Sequence, residues 1–274
     1  MKTTNVISVL ALGSIISLLT PAFIMAVEIR NITTSTTLFL DNFEGGTVGS
    51  PPDNGANPGT WTGGGGNINQ VTNAAIPGAA QGTQYWQLQQ NGSAASGNAD
   101  FTDQTTAGQN LRVEFSFQMR EHPLTGGGVV RVGLDDSTNG TGYWISGGNP
   151  IIPLIVALDF EDIGAGVDVG VPKLNNPFQR TALVTLSKDA WHTAVIDYNI
   201  GASTFTAIIN GVTYANQEAA VGSQVTLANF TTANTNTLFF FDAIPVPEPS
   251  SMVLLGIGLI GLRRFRSESR RKAR

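Results

Sequence analysis

Between residues 111 and 119 the chain alternates without a break. Leu111, Val113, Phe115, Phe117 and Met119 fall on one side, and Arg112, Glu114, Ser116, Gln118 and Arg120 on the other. A period of two sends successive side chains to opposite faces of a strand, so this segment predicts a strand with one face in a core and one in water. Strand-length runs recur at 37–43, 85–88, 129–134, 151–160, 181–186, 194–200, 203–209 and 237–244. Asn210-Gly211 stands between the 203–209 run and Val212-Thr213-Tyr214. An Asn-Gly pair tolerates positive φ at both central positions of a tight turn and is a strong hairpin signal. No long stretch carries the 3.6-residue period of an amphipathic helix. Many short strands punctuated by turn residues predict an all-β fold, a jelly-roll β-sandwich.

Two stretches break the pattern. Residues 56–107 read mostly as loop: Gly63 to Gly66 are four consecutive glycines, and the surrounding Asn, Thr, Gln, Ser and Ala offer little core. A glycine run can cradle phosphate, but no Lys-Ser or Lys-Thr follows this one. The two chain ends are the other exception. Lys2, an apolar run over 6–19, Pro21 and the small residues Ala22 and Ala26 have the layout of a secretory signal peptide. At the far end Pro247-Glu248-Pro249 precedes an uncharged run containing Met252, Leu254, Leu255, Ile257, Leu259, Ile260 and Leu262. Arg263, Arg264 and Arg266 follow at once. Counted from Pro249 to Leu262, the uncharged stretch is 14 residues, a little below the lower limit of about 17 for a membrane-crossing helix. Arginines beyond such a segment resist translocation, which puts the basic end in the cytoplasm and the body outside.

Composition sharpens this reading. The chain of 274 residues has 32 Gly and no Cys, which suits turns between strands and excludes disulfides, cysteine–zinc sites and thiol chemistry. The net charge of −5 is unevenly spread. Residues 27–245 hold seven basic against eighteen acidic side chains, while the last twelve residues hold seven basic ones. An acidic body lacks the cations that phosphate backbones require, so nucleic acid is not an expected partner.

The ordered tail of Pro-Glu-Pro, apolar segment and arginine cluster resembles the PEP-CTERM sorting signal. That resemblance implies recognition by a membrane-embedded exosortase, cutting near Pro247-Glu248-Pro249, and a link to exopolysaccharide or biofilm matrix. The expected organisation is a signal peptide (1–26), a sandwich body (27–244) and a sorting tail (245–274). Signal peptidase and exosortase are its processing partners, with transient anchoring in the membrane through the C-terminal helix.

Within the body, Asp41-Asn42-Phe43-Glu44-Gly45, Trp191-His192-Thr193-Ala194-Val195 with Asp197-Tyr198, and Phe239-Phe240-Phe241-Asp242-Ala243-Ile244 resemble strands of concanavalin A-like (laminin G-like) jelly rolls. Retaining β-glucanases of that group place Glu, Asp and Glu at alternate positions of one strand. Here Ala157, Asp159 and Glu161 occupy the pattern, so the nucleophile is missing. Neither His122 nor His192 accompanies a nucleophile elbow. The resemblance also implies pairing of the first and last strands, which would bring Asp41 or Glu44 near Asp242 as a candidate calcium site. Trp61, Tyr85, Trp86, Tyr143 and Trp144, in or near Gly- and Asn-rich segments, are candidates for stacking on sugars. Packing between the sheets is the competing role for those rings. Together these features predict an exported, non-enzymatic carbohydrate-binding or adhesion protein of the cell surface or matrix. The alternative is a divergent extracellular polysaccharide hydrolase or lyase, and a third reading is a structural coat component without a small ligand.

Overall fold

In the computed structural model the described residues are 27–242 apart from 53–57, 63–67, 76–77, 81, 90–94, 121–127, 136–153, 175 and 234–237. The expected signal peptide (1–26) and the sorting tail (245–274) therefore lie outside them. Ile24–Ile244 forms one compact unit.

Among the described residues all sixteen elements are strands. In chain order they are β1 (Val27–Asn31), β2 (Thr36–Asp41), β3 (Thr60–Thr62), β4 (Ile68–Thr72), β5 (Tyr85–Gln89) and β6 (Ser96–Gln104). β7 (Asn110–Arg120), β8 (Val129–Asp135), β9 (Leu154–Asp162), β10 (Val167–Lys173) and β11 (Asn176–Leu186) follow. The chain closes with β12 (His192–Asn199), β13 (Thr204–Ile209), β14 (Val212–Glu218), β15 (Val225–Ala233) and β16 (Leu238–Asp242). A nine-stranded sheet runs β14-β13-β12-β7-β16-β5-β4, with β1 and β2 added beside β7. A seven-stranded sheet runs β11-β10-β9-β8-β15-β6-β3. The result is the expected all-β jelly-roll sandwich.

The alternation read from the sequence sets the centre. Leu111, Val113, Phe115, Phe117 and Met119 are all buried between the sheets. The other face of β7 departs from expectation, because Ser116 and Gln118 are buried as well. They share the outer face with Tyr85 and Phe240, whose rings meet edge to face at 5.5 Å. The Tyr85 hydroxyl donates to the Ala74 carbonyl at 3.0 Å, so part of this face is roofed by loop and not washed by water.

β7 is paired along its whole length. β12 takes one edge, from His192 opposite Phe117 to Asn199 opposite Asn110. The other edge is shared end to end. β1 pairs Val27 with Phe115 through Asn31 with Leu111, and β16 pairs Leu238 with Arg120 through Asp242 with Ser116. The first and last strands thus meet at consecutive rungs without pairing to each other, which corrects the expected first-to-last ladder.

Aromatic residues fill the space between the sheets. Phe117 lies 4.5 Å from Phe160 and 5.7 Å from Phe239, while Trp86 stacks on Phe241 at 4.9 Å. The segment expected to be loop contributes β3, β4 and β6. β6 escaped notice because Gly97 and Ala99, two of its three buried residues, are small, leaving Phe101 as the third. A Cβ on Gly97 would come within 2.9 Å of the Trp86 ring, so the volume a larger side chain would occupy belongs to the neighbouring tryptophan. β1, β10 and β15 were also not anticipated. The Asn210-Gly211 hairpin forms as expected, with φ of 48° and 79°.

Phe241 touches Trp86, Phe115, Phe230 and Phe239 at centroid distances of 4.9, 5.7, 5.0 and 4.7 Å. We expect Phe241→Ala to cost about 3–5 kcal/mol. The exposed Val212→Ser should stay within roughly 0.5 kcal/mol of wild type. Urea unfolding of both variants checks this, and equal midpoints would be inconsistent with a core centred on Phe241.

Candidate functional site

Strand β9 places Ala157, Asp159 and Glu161 on the outer face of the seven-stranded sheet, with Val156, Leu158 and Phe160 turned to the core. The shared face expected from alternation is present, but its chemistry is closed. Arg131 on β8 stands opposite Asp159 in register. Its Nε and Nη2 donate to the two carboxylate oxygens at 2.5 and 2.7 Å. Both side chains are 5% exposed. Glu161 is paired with Arg180, which also reaches Asp168 at 2.8 Å. Burial lowers the Arg180 pKa, and Asp159 acts in the opposite sense. Gly133 sits beside Ala157 in register, and a Cβ there would meet the Val156 carbonyl at 2.2 Å. This face therefore offers two guanidinium-locked carboxylates and a methyl group where a nucleophile would be needed.

The aromatic candidates move inward. Trp61 is 9% exposed, and Tyr85 and Trp86 are fully buried. The Trp61 and Trp86 rings pack against each other at 4.8 Å inside the sandwich. Tyr85 lies on the outer face of the nine-stranded sheet beneath Ala74, and its phenol pKa is raised chiefly by burial. A ring covered on both sides has no face left for a pyranose, so these three are corrected from sugar-stacking to packing residues. Tyr143 and Trp144 lie outside the described residues, as does His122.

The three calcium candidates are held apart. Asp41 accepts from the Phe43 amide at 2.7 Å and from the Trp61 indole N–H. Glu44 accepts from the Thr83 amide, the Thr83 hydroxyl and the Gln84 amide at 2.7, 2.8 and 2.8 Å. Asp242 is buried opposite Ser116. Among the described residues no three His, Asp or Glu side chains gather as a metal-binding group. The three carboxylates do not make the shared oxygen shell that calcium requires.

His192 is a packing and hydrogen-bonding residue. Asn210 uses its Oδ1 to accept from the Thr193 amide at 2.9 Å, leaving its Nδ2 to donate to His192 Nδ1 at 3.0 Å. His192 Nε2 then donates to the Ser187 carbonyl at 2.9 Å. Trp191 donates to the Gly78 carbonyl at 3.1 Å.

The open feature is elsewhere. A cleft of about 300 Å³ lies on the outer face of the nine-stranded sheet and is lined by Asn110, Asp197, Asn199, Thr206 and Asn216, with Ile32 at its side. Sequence reasoning missed these residues because polar side chains at outward strand positions look the same whether they face bulk water or a cleft.

The C-terminal end is decided by comparison. Residues 245–271 match the family model of the PEP-CTERM protein-sorting motif. The chain carries a PEP-CTERM sorting tail. This motif implies export, processing by exosortase and sorting to the cell surface. Among the described residues no helix is long and apolar enough to cross a membrane, and the Met252–Leu262 stretch of the PEP-CTERM tail lies outside them. No curated protein matches the chain. Solved structures similar to it include the carbohydrate esterase vb_24B_21 of the Shiga toxin-encoding bacteriophage phi24B, at 15% identity and a TM-score of 0.46 over 67% of this chain and 87% of that one. The β-glucanase of Bacillus licheniformis is similar at 14% identity and a TM-score of 0.40, over 73% and 97% of the two chains. The carbohydrate-binding module CBM66 of Bacillus subtilis is similar at 9% identity and a TM-score of 0.37, over 67% and 92%. Identities this low do not carry an activity from one protein to another.

Two outcomes follow. Arg131→Met leaves a buried carboxylate without its partner and should cost about 3–5 kcal/mol, whereas Arg131→Met with Asp159→Leu should recover most of that loss. Chemical denaturation of the single and double variants tests this, and a double variant no more stable than the single one would contradict it. Burial raises the Asp41 pKa above its ordinary value of 3.8, against its two hydrogen bonds. A raised carboxyl favours the folded state most below its unfolded pKa, and that contribution fades as pH rises through the folded pKa. The stability of wild type relative to Asp41→Asn should therefore increase as pH is lowered from 7 toward 3.8. A decrease in paired urea titrations would refute the burial argument.

Proposed function

We propose that the body is a non-enzymatic carbohydrate-binding or adhesion module, displayed at the cell surface or in the extracellular matrix after both ends are processed. Signal peptidase acts at the first end and exosortase at the second, with transient membrane anchoring between the two cuts. The ligand in this reading is a matrix polysaccharide.

The observation that carries the reading is the Arg131–Asp159 pair beside Ala157. A retaining glycosidase needs one carboxylate to attack and another to exchange a proton, about 5 Å apart. Here the first position is a methyl group, the second has both oxygens tied to one guanidinium, and the third is paired with Arg180. Nor do the described histidines supply another route, since His192 spends both ring nitrogens on Asn210 and Ser187. Retention is what remains for a polar sandwich sent out of the cell. The acidic body suits a hydroxyl-rich ligand better than a polyanion, which its charge would repel.

Protein recovered from cells should lack residues 1–26 and everything beyond Pro247-Glu248-Pro249, as read by intact mass. The same material should bind polysaccharide on a glycan array without releasing reducing ends. Release of reducing sugar that disappears in Asp159→Asn or Glu161→Gln would make it an enzyme instead.

A further inference from the structure

We propose that the cleft on the outer face of the nine-stranded sheet binds a neutral, hydroxyl-rich glycan through Asn110, Asn199 and Thr206; this rests on the carbohydrate-binding reading above. Three strands place these groups as a grid. Asn110 of β7 is opposite Asn199 of β12, and two residues along, Arg112 is opposite Asp197, which is opposite Thr206 of β13. Neighbouring strands lie about 4.8 Å apart, so the polar groups are spaced for one sugar ring to span two of them.

Hydrogen bonding within the grid decides what each group can still offer. Asn199 Nδ2 donates to the Asn110 Oδ1 at 2.9 Å and to the Gly108 carbonyl at 3.1 Å. This fixes both amides in opposite senses. Asn110 keeps its Nδ2 as a donor and Asn199 keeps its Oδ1 as an acceptor, neither with a protein partner among the described residues. A donor and an acceptor side by side match two adjacent sugar hydroxyls, one accepting and the next donating. The Thr206 hydroxyl, also without a protein partner among the described residues, extends the row.

Charge selects against acids. Both oxygens of Asp197 accept from Arg112, at 2.6 and 2.7 Å. Arg112 also faces Glu114 at 3.5 Å. No cation is among the residues lining the cleft, and Arg112 beneath Asp197 is already paired, so the lining offers no counter-charge to a carboxylated or sulfated sugar. Two further features complete the wall. Ile32 is 39% exposed and presents an apolar surface for the C–H face of a ring. Asn216 has a φ of 57° where β13 and β14 slip register between Phe205 and Ala207, and this bulge brings its amide to the cleft. Strand bulges commonly re-aim a side chain in this way.

The test uses the processed protein recovered from cells, titrated with neutral glucan and galactan oligosaccharides and with a uronate oligosaccharide. Asn199→Ala and Thr206→Val should each weaken binding of a neutral oligosaccharide roughly 5- to 10-fold, the loss expected for one or two hydrogen bonds. Thr206→Val keeps the strand's shape and preference, so its thermal midpoint should match wild type and separate binding from folding. The uronate should bind more weakly than either neutral probe. Wild-type affinity in both variants would overturn this site while leaving a glycan-binding body intact. Tighter binding of the uronate would overturn the assigned ligand class. Absence of any glycan binding by wild type would overturn both this site and the reading on which it rests.

Discussion

Everything in the sandwich is built outward from the backbone ladder of β7. One edge is taken by β12 and the other by β1 and β16, which abut where Val27 stands opposite Phe115 and Asp242 opposite Ser116. A strand so placed offers little open edge to another chain, and its inward face can be wholly apolar. That face carries Phe115 and Phe117, and the aromatic contacts to Phe160, Phe230, Phe239 and Phe241 all follow from it. The two ends of the body contribute different rungs of the same row. Neither is a dispensable extension, since each satisfies hydrogen-bonding groups the other cannot reach.

What could be read from the sequence divides along a physical line. β7 and the Asn210-Gly211 hairpin were legible because their information is local: an unbroken period of two, and a dipeptide whose conformational tolerance matches its turn. β6 was not, because its side chains are dictated by a neighbour. Gly97 and Ala99 leave room for Trp61 and Trp86, so Phe101 is the strand's single bulky buried residue and no alternation of large side chains marks it. The same cause misled the reading of Trp61 and Trp86. Their surroundings in the sequence are rich in glycine and asparagine, which suggests exposure, but Gly97 and Ala99 of β6 leave the space in which the rings are buried. Tyr85 was misread for another reason. It does face outward from its sheet, where Phe240, Trp191 and the segment at Ala74 cover it.

The candidate chemistry shows the same distinction. That residues 157, 159 and 161 share a face follows from strand geometry alone and needs no structure. That Asp159 is unavailable depends on Arg131, and that Glu161 is occupied depends on Arg180, each from another strand. A carboxylate's role is set by what lies across the sheet as much as by its own position. The cleft lined by Asn110, Asn199 and Thr206 was the least legible feature. Its character lies in the direction of two amides, and that direction is fixed by a hydrogen bond between strands separated by some ninety residues.

The placement of the two end strands bears on how an exported, tail-sorted protein can survive its own processing. The rungs on β7 end at Val27 on one side and at Asp242 on the other. Cleavage after residue 26, as proposed, would leave the first rung intact, and the Pro247-Glu248-Pro249 motif begins only after the last one. Both proposed cuts would therefore fall outside the ladder, and loss of residues 1–26 and of the tail would leave every rung on β7 in place. A cut a few residues further in at either end would bare part of one β7 edge and loosen the aromatic core behind it. The spacing between ladder and motif thus sets how closely a protease can trim this body while leaving a folded domain to display.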